Sequence, residues 1–251
     1  MSQKTAIITG GSRGLGRDMA ISLAKDGVDI IFSYHTNKAQ ADEVISEIEA
    51  LGQKATAFAF DANNPENGKT FITQATAYLE QENGNPNFDF LVNNAGTGTF
   101  NLVADTSESQ FDEMMNIHLK SVYFITQAAL PFINKGGRIV NISSGLARFS
   151  LPGMSAYAIM KGAVEVFTRY LAKELGERKI TANVIAPGAI ATDFAGGSNK
   201  DEKKAAMIAS ITALGRVGEA EDIGGTVAFL CSDKAGWING QRIEVSGGML
   251  V

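Results

Sequence analysis

Thr5-Ala6-Ile7-Ile8-Thr9-Gly10-Gly11-Ser12-Arg13-Gly14-Leu15-Gly16 decides the fold of this chain. Ala6-Ile7-Ile8 reads as a buried strand. Met19-Ala20-Ile21 and Leu23-Ala24, after the glycines, read as a helix packed on a sheet. A strand that passes through glycines into a helix N-terminus aims backbone N–H groups at one spot, with the helix dipole behind them. Such a spot favours an anion such as a pyrophosphate. The glycines belong where a side chain would block the phosphate or where the turn needs positive φ. Gly10, Ser12, Arg13, Gly14, Leu15 and Gly16 are therefore read as a dinucleotide cradle. Their spacing, Gly10-x-x-x-Gly14-x-Gly16, differs from the common G-x-G-x-x-G fingerprint.

Working outward, 251 residues suit one α/β domain with a sizeable core, and residues 1–251 are read as a single dinucleotide-binding and catalytic unit. Hydrophobic residues at 45% and charged residues at 20% are typical of a soluble globular protein. The net charge of −5, with no basic cluster, argues against nucleic acid as a partner. No apolar run has membrane-spanning length, and Met1-Ser2-Gln3-Lys4 runs directly into the first expected strand. No signal or transit peptide and no membrane association are expected, and the cytoplasm is the expected compartment. Cys231 is alone in an apolar helical stretch, a core residue with no disulfide partner. His35 and His118, the two histidines, share no ligand spacing with it, so no metal site is expected.

Strand-like and helix-like segments alternate along the chain. The expected strands are Thr5–Thr9, Asp29–Tyr34, Ala55–Asp61, Phe88–Asn93, Gly137–Ser143, Thr181–Ala186 and Gln241–Val245. Helices are expected over Ala39–Leu51, Phe71–Glu82, Phe111–Asn134, Ala156–Leu175 and Glu221–Leu230. This alternation implies βαβ units and a parallel, doubly wound sheet flanked by helices. In such sheets the ligand lies beyond the carboxyl ends of the strands. Polar and glycine-rich clusters gather there: Gly10–Gly16, Asp61-Ala62-Asn63, Asn93-Asn94-Ala95-Gly96, Ser143-Ser144-Gly145 and Pro187-Gly188.

Tyr157-Ala158-Ile159-Met160-Lys161 sets a phenol and an ammonium at i and i+4 on one helical face. A free tyrosine, with pKa near 10, is a poor proton exchanger at neutral pH. A nearby cation favours the phenolate and lowers that value. Tyr34-His35-Thr36-Asn37-Lys38 fits the same spacing but begins at a strand end, where the residues need not share a face. Ser144, upstream of Tyr157 and just after a strand, offers a hydroxyl for a substrate oxygen; Ser143 competes for that role but reads as the last strand residue.

Thr9–Gly16, Asn93-Asn94-Ala95-Gly96, Ser144, Tyr157-x-x-x-Lys161 and Pro187-Gly188-x-x-x-Thr192 occur in one order. With Leu214-Gly215-Arg216 and Ser246-Gly247-Gly248 they make the whole chain resemble the short-chain dehydrogenase/reductase family. The resemblance implies a Rossmann-type fold, a nicotinamide cofactor and hydride transfer at a carbonyl carbon. It implies Tyr157 as acid/base, Lys161 as the residue that lowers its pKa and binds the nicotinamide ribose, and Ser144 as the substrate-orienting hydroxyl. It further implies Asp61 and Ala62 at the adenine edge, and Asn93, Ala95 and Gly96 lining the adenosine side and supporting the central strand. Pro187 and Gly188 begin the loop in which Ile190 and Thr192 close over the nicotinamide. One departure stands out. The family's relay asparagine on the helix after the fourth strand is here His118, with Asn116 falling two residues earlier and pointing elsewhere. Imidazole can also hold a water, so His118 is a candidate for that role.

The second strand, Ile30-Ile31-Phe32-Ser33-Tyr34, and the His35-Thr36-Asn37-Lys38 that follows carry no acid, whereas an unphosphorylated ribose favours one. Arg13 adds a guanidinium suited to phosphate. The expected cofactor is NADP(H), with Arg13, His35 and Thr36 near the 2′-phosphate. Phe194 through Leu214, glycine-rich and then helical, has the look of a lid. Leu146, Phe149, Met154, Phe194 and Met207 are candidate pocket residues. Three functions are carried forward: an NADPH-dependent reductase of small or medium ketones and aldehydes, a 3-oxoacyl-[acyl-carrier-protein] reductase, and a cofactor-binding sensor without turnover. The second needs a basic patch beside the mouth, for which Lys135, Arg138, Arg178 and Lys179 are the candidates. The two long helices suit a homo-oligomer, and the resemblance suggests a tetramer.

Overall fold

The computed structural model describes residues 3–64 and 66–251; Met1 and Ser2, which the sequence reading runs into the first strand, lie outside them. The core is a seven-stranded sheet of order β3-β2-β1-β4-β5-β6-β7. The strands are β1 (Lys4–Ile8), β2 (Val28–Tyr34), β3 (Ala55–Ala59), β4 (Phe88–Asn93), β5 (Ile133–Ile142), β6 (Thr181–Pro187) and β7 (Arg242–Val245). Every pairing is parallel, so all carboxyl ends share one edge. Strand order reverses where β1 lies between β2 and β4, which opens a crevice there.

Alternation along the strands divides the core into two layers, because successive side chains face opposite sides. Ile8, Phe32, Val92 and Val140 pack with Met19 and Leu23 of α1 (Gly14–Lys25). Val227 and Leu230 complete that layer from the later helix Glu221–Cys231. Ile7, Ile31, Leu91 and Ile139 pack on the other side with residues of three further helices. Both faces of the sheet are covered, which is why these strands read as unbroken apolar runs.

The remaining helices, in chain order, are α2 (Lys38–Ala50), α3 (Glu66–Asn83), α4 (Glu108–Met115), α5 (Ser121–Ala129), α6 (Ser155–Glu174), α7 (Glu202–Ser210) and α8 (Glu221–Cys231). Most expected boundaries fall within a few residues of these. The helix expected over Phe111–Asn134 does not. It is α4, a π-helical turn over Asn116–Lys120, and α5, and the chain leaves the helix at Leu130. Pro131 removes a backbone donor there, and Ile133 and Asn134 already belong to β5. The apolar run Ala128–Ile133 hides this switch, since it suits either period. The strand expected to end at Asp61 stops at Ala59, and the one expected to include Ser143 stops at Ile142. No described helix is long and apolar enough to cross a membrane.

Candidate active site

The cradle after β1 is shaped by backbone and by β4. Thr9 Oγ1 accepts from the N–H groups of Asn94 and Ala95, both at 2.9 Å. Asn94 Nδ2 donates back to the carbonyls of Thr9 (3.0 Å) and Gly10 (3.1 Å). Gly10 and Gly14 have φ of +69° and +52°, the left-handed region that favours glycine. A Cβ on Gly16 would overlap Gly10 O and stand 2.6 Å from Asn94 Nδ2. Arg13, extended at φ −158°, caps α1 with its backbone alone, and the first turn holds no acid. The N–H groups of that turn are left for an anion, a fit to a pyrophosphate. Ser12 is half-buried, Leu15 packs against the α1 layer, and Arg13 is exposed. Thr192 lies over the cradle, 3.5 Å from where a Gly14 Cβ would stand.

His35 and Thr36 follow β2 in exposed positions, and His35 Nε2 stands 3.9 Å from Asp61 Oδ1. Ala62 packs on the second core layer. Asn93 departs from the expected lining role. Its Nδ2 donates to Asn141 Oδ1 (2.8 Å) and Thr126 Oγ1 (3.0 Å), and Asn141 continues to Thr168 Oγ1 (2.9 Å). The side chain is thus a buried tie between β4, β5 and two helices, supporting the strand and turned away from the crevice. Gly188 donates to Val245 O at 3.1 Å, and Ile190 forms an isolated bridge with Gly218. These contacts fix the loop that begins at Pro187.

Ser144, Tyr157 and Lys161 converge beside this cradle. Ser144 follows β5, and Leu146 N donates to its Oγ at 3.2 Å. Ser143 is turned away: its hydroxyl donates to Glu165 Oε1 at 2.7 Å. Tyr157 is buried, its ring edge-to-face with His118 at 4.9 Å and tilted against Phe194 at 5.7 Å. Lys161 Nζ lies 5.5 Å from the Tyr157 ring centre and donates to Ile142 O at 2.7 Å. Burial pulls the Lys161 ammonium down to about 8. The expected lowering of Tyr157 by Lys161 is not what the folded site produces: burial raises the phenol, and the Ser144 side chain offsets part of that. The second Y-x-x-x-K copy is split, Tyr34 ending β2 and Lys38 opening α2, where Lys38 pairs with Asp42 at 2.6 Å.

The π-helical turn delivers His118 to the site. His118 Nε2 contacts Thr97 O at 2.7 Å, which assigns the proton to Nε2, and the buried Nδ1 has no hydrogen-bond partner among the described residues. Burial, with Lys161 adding to it, holds this imidazole well below its usual pKa and therefore neutral. Asn116 turns elsewhere, its Nδ2 lying 3.5 Å from Asn63 Oδ1.

A charged network behind Ser144 escaped the sequence reading. Arg242 bonds Glu165 and Glu244, each at 2.7 Å, and its Nη2 donates to Ser144 O at 3.3 Å. Arg148 grips Glu244 with two nitrogens and donates to the carbonyls of Met249 and Leu250. These two arginines hold the Glu244 carboxyl down to about 2, Arg148 contributing most. The signal was present as spacing: Lys161 and Glu165 at i, i+4, and Arg242 and Glu244 at i, i+2.

The cations suggested for a docking patch lie elsewhere. Lys135 and Arg138 belong to the beginning of β5, and Arg178 and Lys179 precede β6, at the amino edge of the sheet. Six residues of extended chain, about 20 Å, separate Arg138 from Ser144. Arg138 bonds the carbonyls of Gly136 and Gly137, and Arg178 those of Leu130 and Ile133.

A family model described as Enoyl-(Acyl carrier protein) reductase matches residues 10–250. The 3-oxoacyl-[acyl-carrier-protein] reductase FabG of Staphylococcus aureus is 37% identical over 248 residues, covering 98% of each protein. Two ketoreductase structures superpose closely. LugOII, described as a promiscuous reductase that catalyses keto-reduction at C1 in lugdunomycin biosynthesis, gives a TM-score of 0.93 at 36% identity, covering 99% of this chain and 98% of that one. The angucycline C-6 ketoreductase LanV, solved with bound NADP, gives 0.94 at 35% identity, covering 98% and 95%.

Proposed function

The chain belongs to the short-chain dehydrogenase/reductase family, and from that premise we propose that it works as one dinucleotide-binding and catalytic domain, an NADPH-dependent reductase of ketones and aldehydes. The observation that carries this reading is the convergence of Ser144, Tyr157 and Lys161 beside an uncapped helix N-terminus. NADPH, when bound, supplies the hydride to the carbonyl carbon. Ser144 Oγ donates to the carbonyl oxygen and orients it. Tyr157 gives its proton to that oxygen, so ketone, hydride and proton together make the alcohol. Lys161, charged below about pH 8, binds the ribose hydroxyls, its Nζ 5.5 Å from the centre of the Tyr157 ring. His118, its Nε2–H fixed on Thr97 O, keeps Nδ1 as an acceptor for a water in the proton path to Lys161.

Gly10, Ser12, Gly14, Leu15 and Gly16 form the pyrophosphate cradle in this reading. Arg13, His35 and Thr36 take the 2′-phosphate, for which the acid-free end of β2 leaves room. Asp61 and Ala62 border the adenine, Ala95 and Gly96 the adenosine side, and Pro187, Gly188, Ile190 and Thr192 the nicotinamide. A cytoplasmic homo-oligomer, a tetramer by family habit, is part of the same proposal. Its support is the exposed apolar side of α5 and α6, where Tyr123, Phe124, Ile159, Val166 and Tyr170 reach solvent.

The 3-oxoacyl-[acyl-carrier-protein] reductase reading draws support from the Staphylococcus aureus relative and loses it from the four cations at the wrong edge of the sheet. The deciding experiment follows reduced-cofactor absorbance at 340 nm with NADPH and NADH over a carbonyl panel that includes an acetoacetyl thioester. Turnover of simple ketones with NADPH is expected. A strong thioester preference would select the carrier-protein reading, and tight NADPH binding without any turnover would leave only a sensor.

A further inference from the structure

Three successive loops on the carboxyl edge each contribute one phenylalanine: Phe100 after β4, Phe149 after β5 and Phe194 after β6. Each ring lies on a glycine. A Cβ on Gly98 would stand 2.8 Å from the Phe194 ring, and one on Gly145 would stand 2.8 Å from the Phe149 ring. A Cβ on Gly153, at φ +88°, would overlap the Phe100 ring. Two of these seats cross between loops: the ring after β6 rests on the loop after β4, and the ring after β4 rests on the loop after β5. The three loops are thereby held as one rim. Phe194 meets the Tyr157 ring at 5.7 Å, and Leu146 and Met154 pack in the same cluster. Phe100, seated on Gly153, nevertheless remains 71% exposed.

The rim carries no free charge. Residues 94–102 hold no ionisable side chain, and residues 144–154 hold only Arg148, whose guanidinium is turned onto Glu244. In residues 188–200 the charged side chains are Asp193 and Lys200, paired to each other at 2.7 Å. The cations of these three loops are each engaged by an acid, and Lys204 of α7, which reaches back to the third loop, is engaged by Ser198 Oγ at 2.7 Å.

Resting on the ketoreductase reading, we propose that the substrate is a neutral ketone carried on a planar aromatic or fused-ring body, with Phe100, Phe149 and Phe194 as the specificity-determining residues. Ser144 and Tyr157 hold the carbonyl oxygen at the floor of the cleft, and the rings flank the body by offset or edge-to-face contact. Such contact discriminates a flat ring system from an alkyl chain of equal size by about two- to twelvefold per ring.

The test compares 2-tetralone with 2-decanone, equal in carbon count, and with pyruvate, all with NADPH. Wild type and the variants Phe100→Leu, Phe149→Leu and Phe194→Leu are assayed; leucine keeps an apolar side chain while removing the ring. Wild type is expected to favour 2-tetralone over 2-decanone at least tenfold in kcat/KM and to ignore pyruvate. Each variant should lower the 2-tetralone/2-decanone ratio of kcat/KM by about two- to twelvefold, whatever it does to turnover as a whole. Calorimetric binding of 2-naphthol to the NADP-loaded protein gives a readout independent of turnover. If no carbonyl is reduced but 2-naphthol binds and the leucine variants weaken it, the reductase reading fails and the aromatic rim stands. If 2-decanone matches 2-tetralone, or 2-naphthol does not bind, or the variants lower both ketones alike, the rim proposal is overturned.

Discussion

The β1–β4 side of the cleft presents backbone, whereas the β5–β6 side presents side chains. The first bank consists of Gly10, Gly14 and Gly16, the open N-terminus of α1, and the Thr9–Asn94 exchange that locks them. The second consists of Ser144, Tyr157 and Lys161, rimmed by phenylalanines and followed by a stretch where Ala195, Gly196 and Gly197 all take left-handed φ. Backbone donors recognise what every dinucleotide shares, and side chains recognise what distinguishes one carbonyl from another. A single chain thus keeps one bank fixed by geometry and leaves the other open to change residue by residue.

Loss of the reacting hydroxyl should break the second bank without touching the first. Tyr157→Phe is expected to lower kcat by about 10²- to 10⁴-fold while NADPH affinity, read by fluorescence titration, stays within about twofold. Equal losses in both would mean that the banks are not separate. Gly16→Ala attacks the first bank instead. Its methyl has no space between Gly10 O and Asn94 Nδ2, and overpacking of that kind costs about 1–3 kcal/mol, seen as weaker NADPH binding or a lower Tm. An unchanged Kd and Tm would show that the cradle yields.

Two milder tests sharpen the contrast. Arg13→Ala should weaken NADPH by about ten- to 150-fold and leave NADH nearly untouched, as expected for a charge-assisted bond of about 1.5–3 kcal/mol to a phosphate. Equal losses for both cofactors would remove Arg13 from the phosphate. The pH dependence reports on Lys161. Its ammonium is lowered to about 8, so ketone reduction should hold up to that pH and fall as pH rises through it. His118, neutral already, should add no step near pH 6.5. A flat profile from pH 7 to 9.5 would mean that the charge on Lys161 is dispensable.

The first bank was almost wholly legible in the sequence, because a backbone cradle needs glycines at fixed separations and those can be counted. Tyr157 and Lys161 were legible for the same reason, four residues apart on one helix. What escaped depends on side chains brought together from distant places. Asn93 looked like a lining residue until Asn141 and Thr126 met it in the core. The π-helical turn that turns His118 inward leaves no mark in the apolar pattern of Phe111–Asn134. Arg242 reaches Ser144 only because β7 comes to rest beside β6. The phenylalanine rim likewise required knowing which loop each glycine would underlie.

The exchange between Thr9 and Asn94 makes the glycine signature less portable than it looks. The loop belongs to β1, but the amide that grips its carbonyls and the N–H groups that its threonine accepts arrive on β4, about eighty-five residues later. Transplanting Thr9–Gly16 onto another strand would carry the letters without the clamp. A fragment ending before β4 would keep every glycine and still lack the grip that shapes them. For anyone building chimeras of such enzymes, the smallest interchangeable part is the adjacent strand pair with both of its loops.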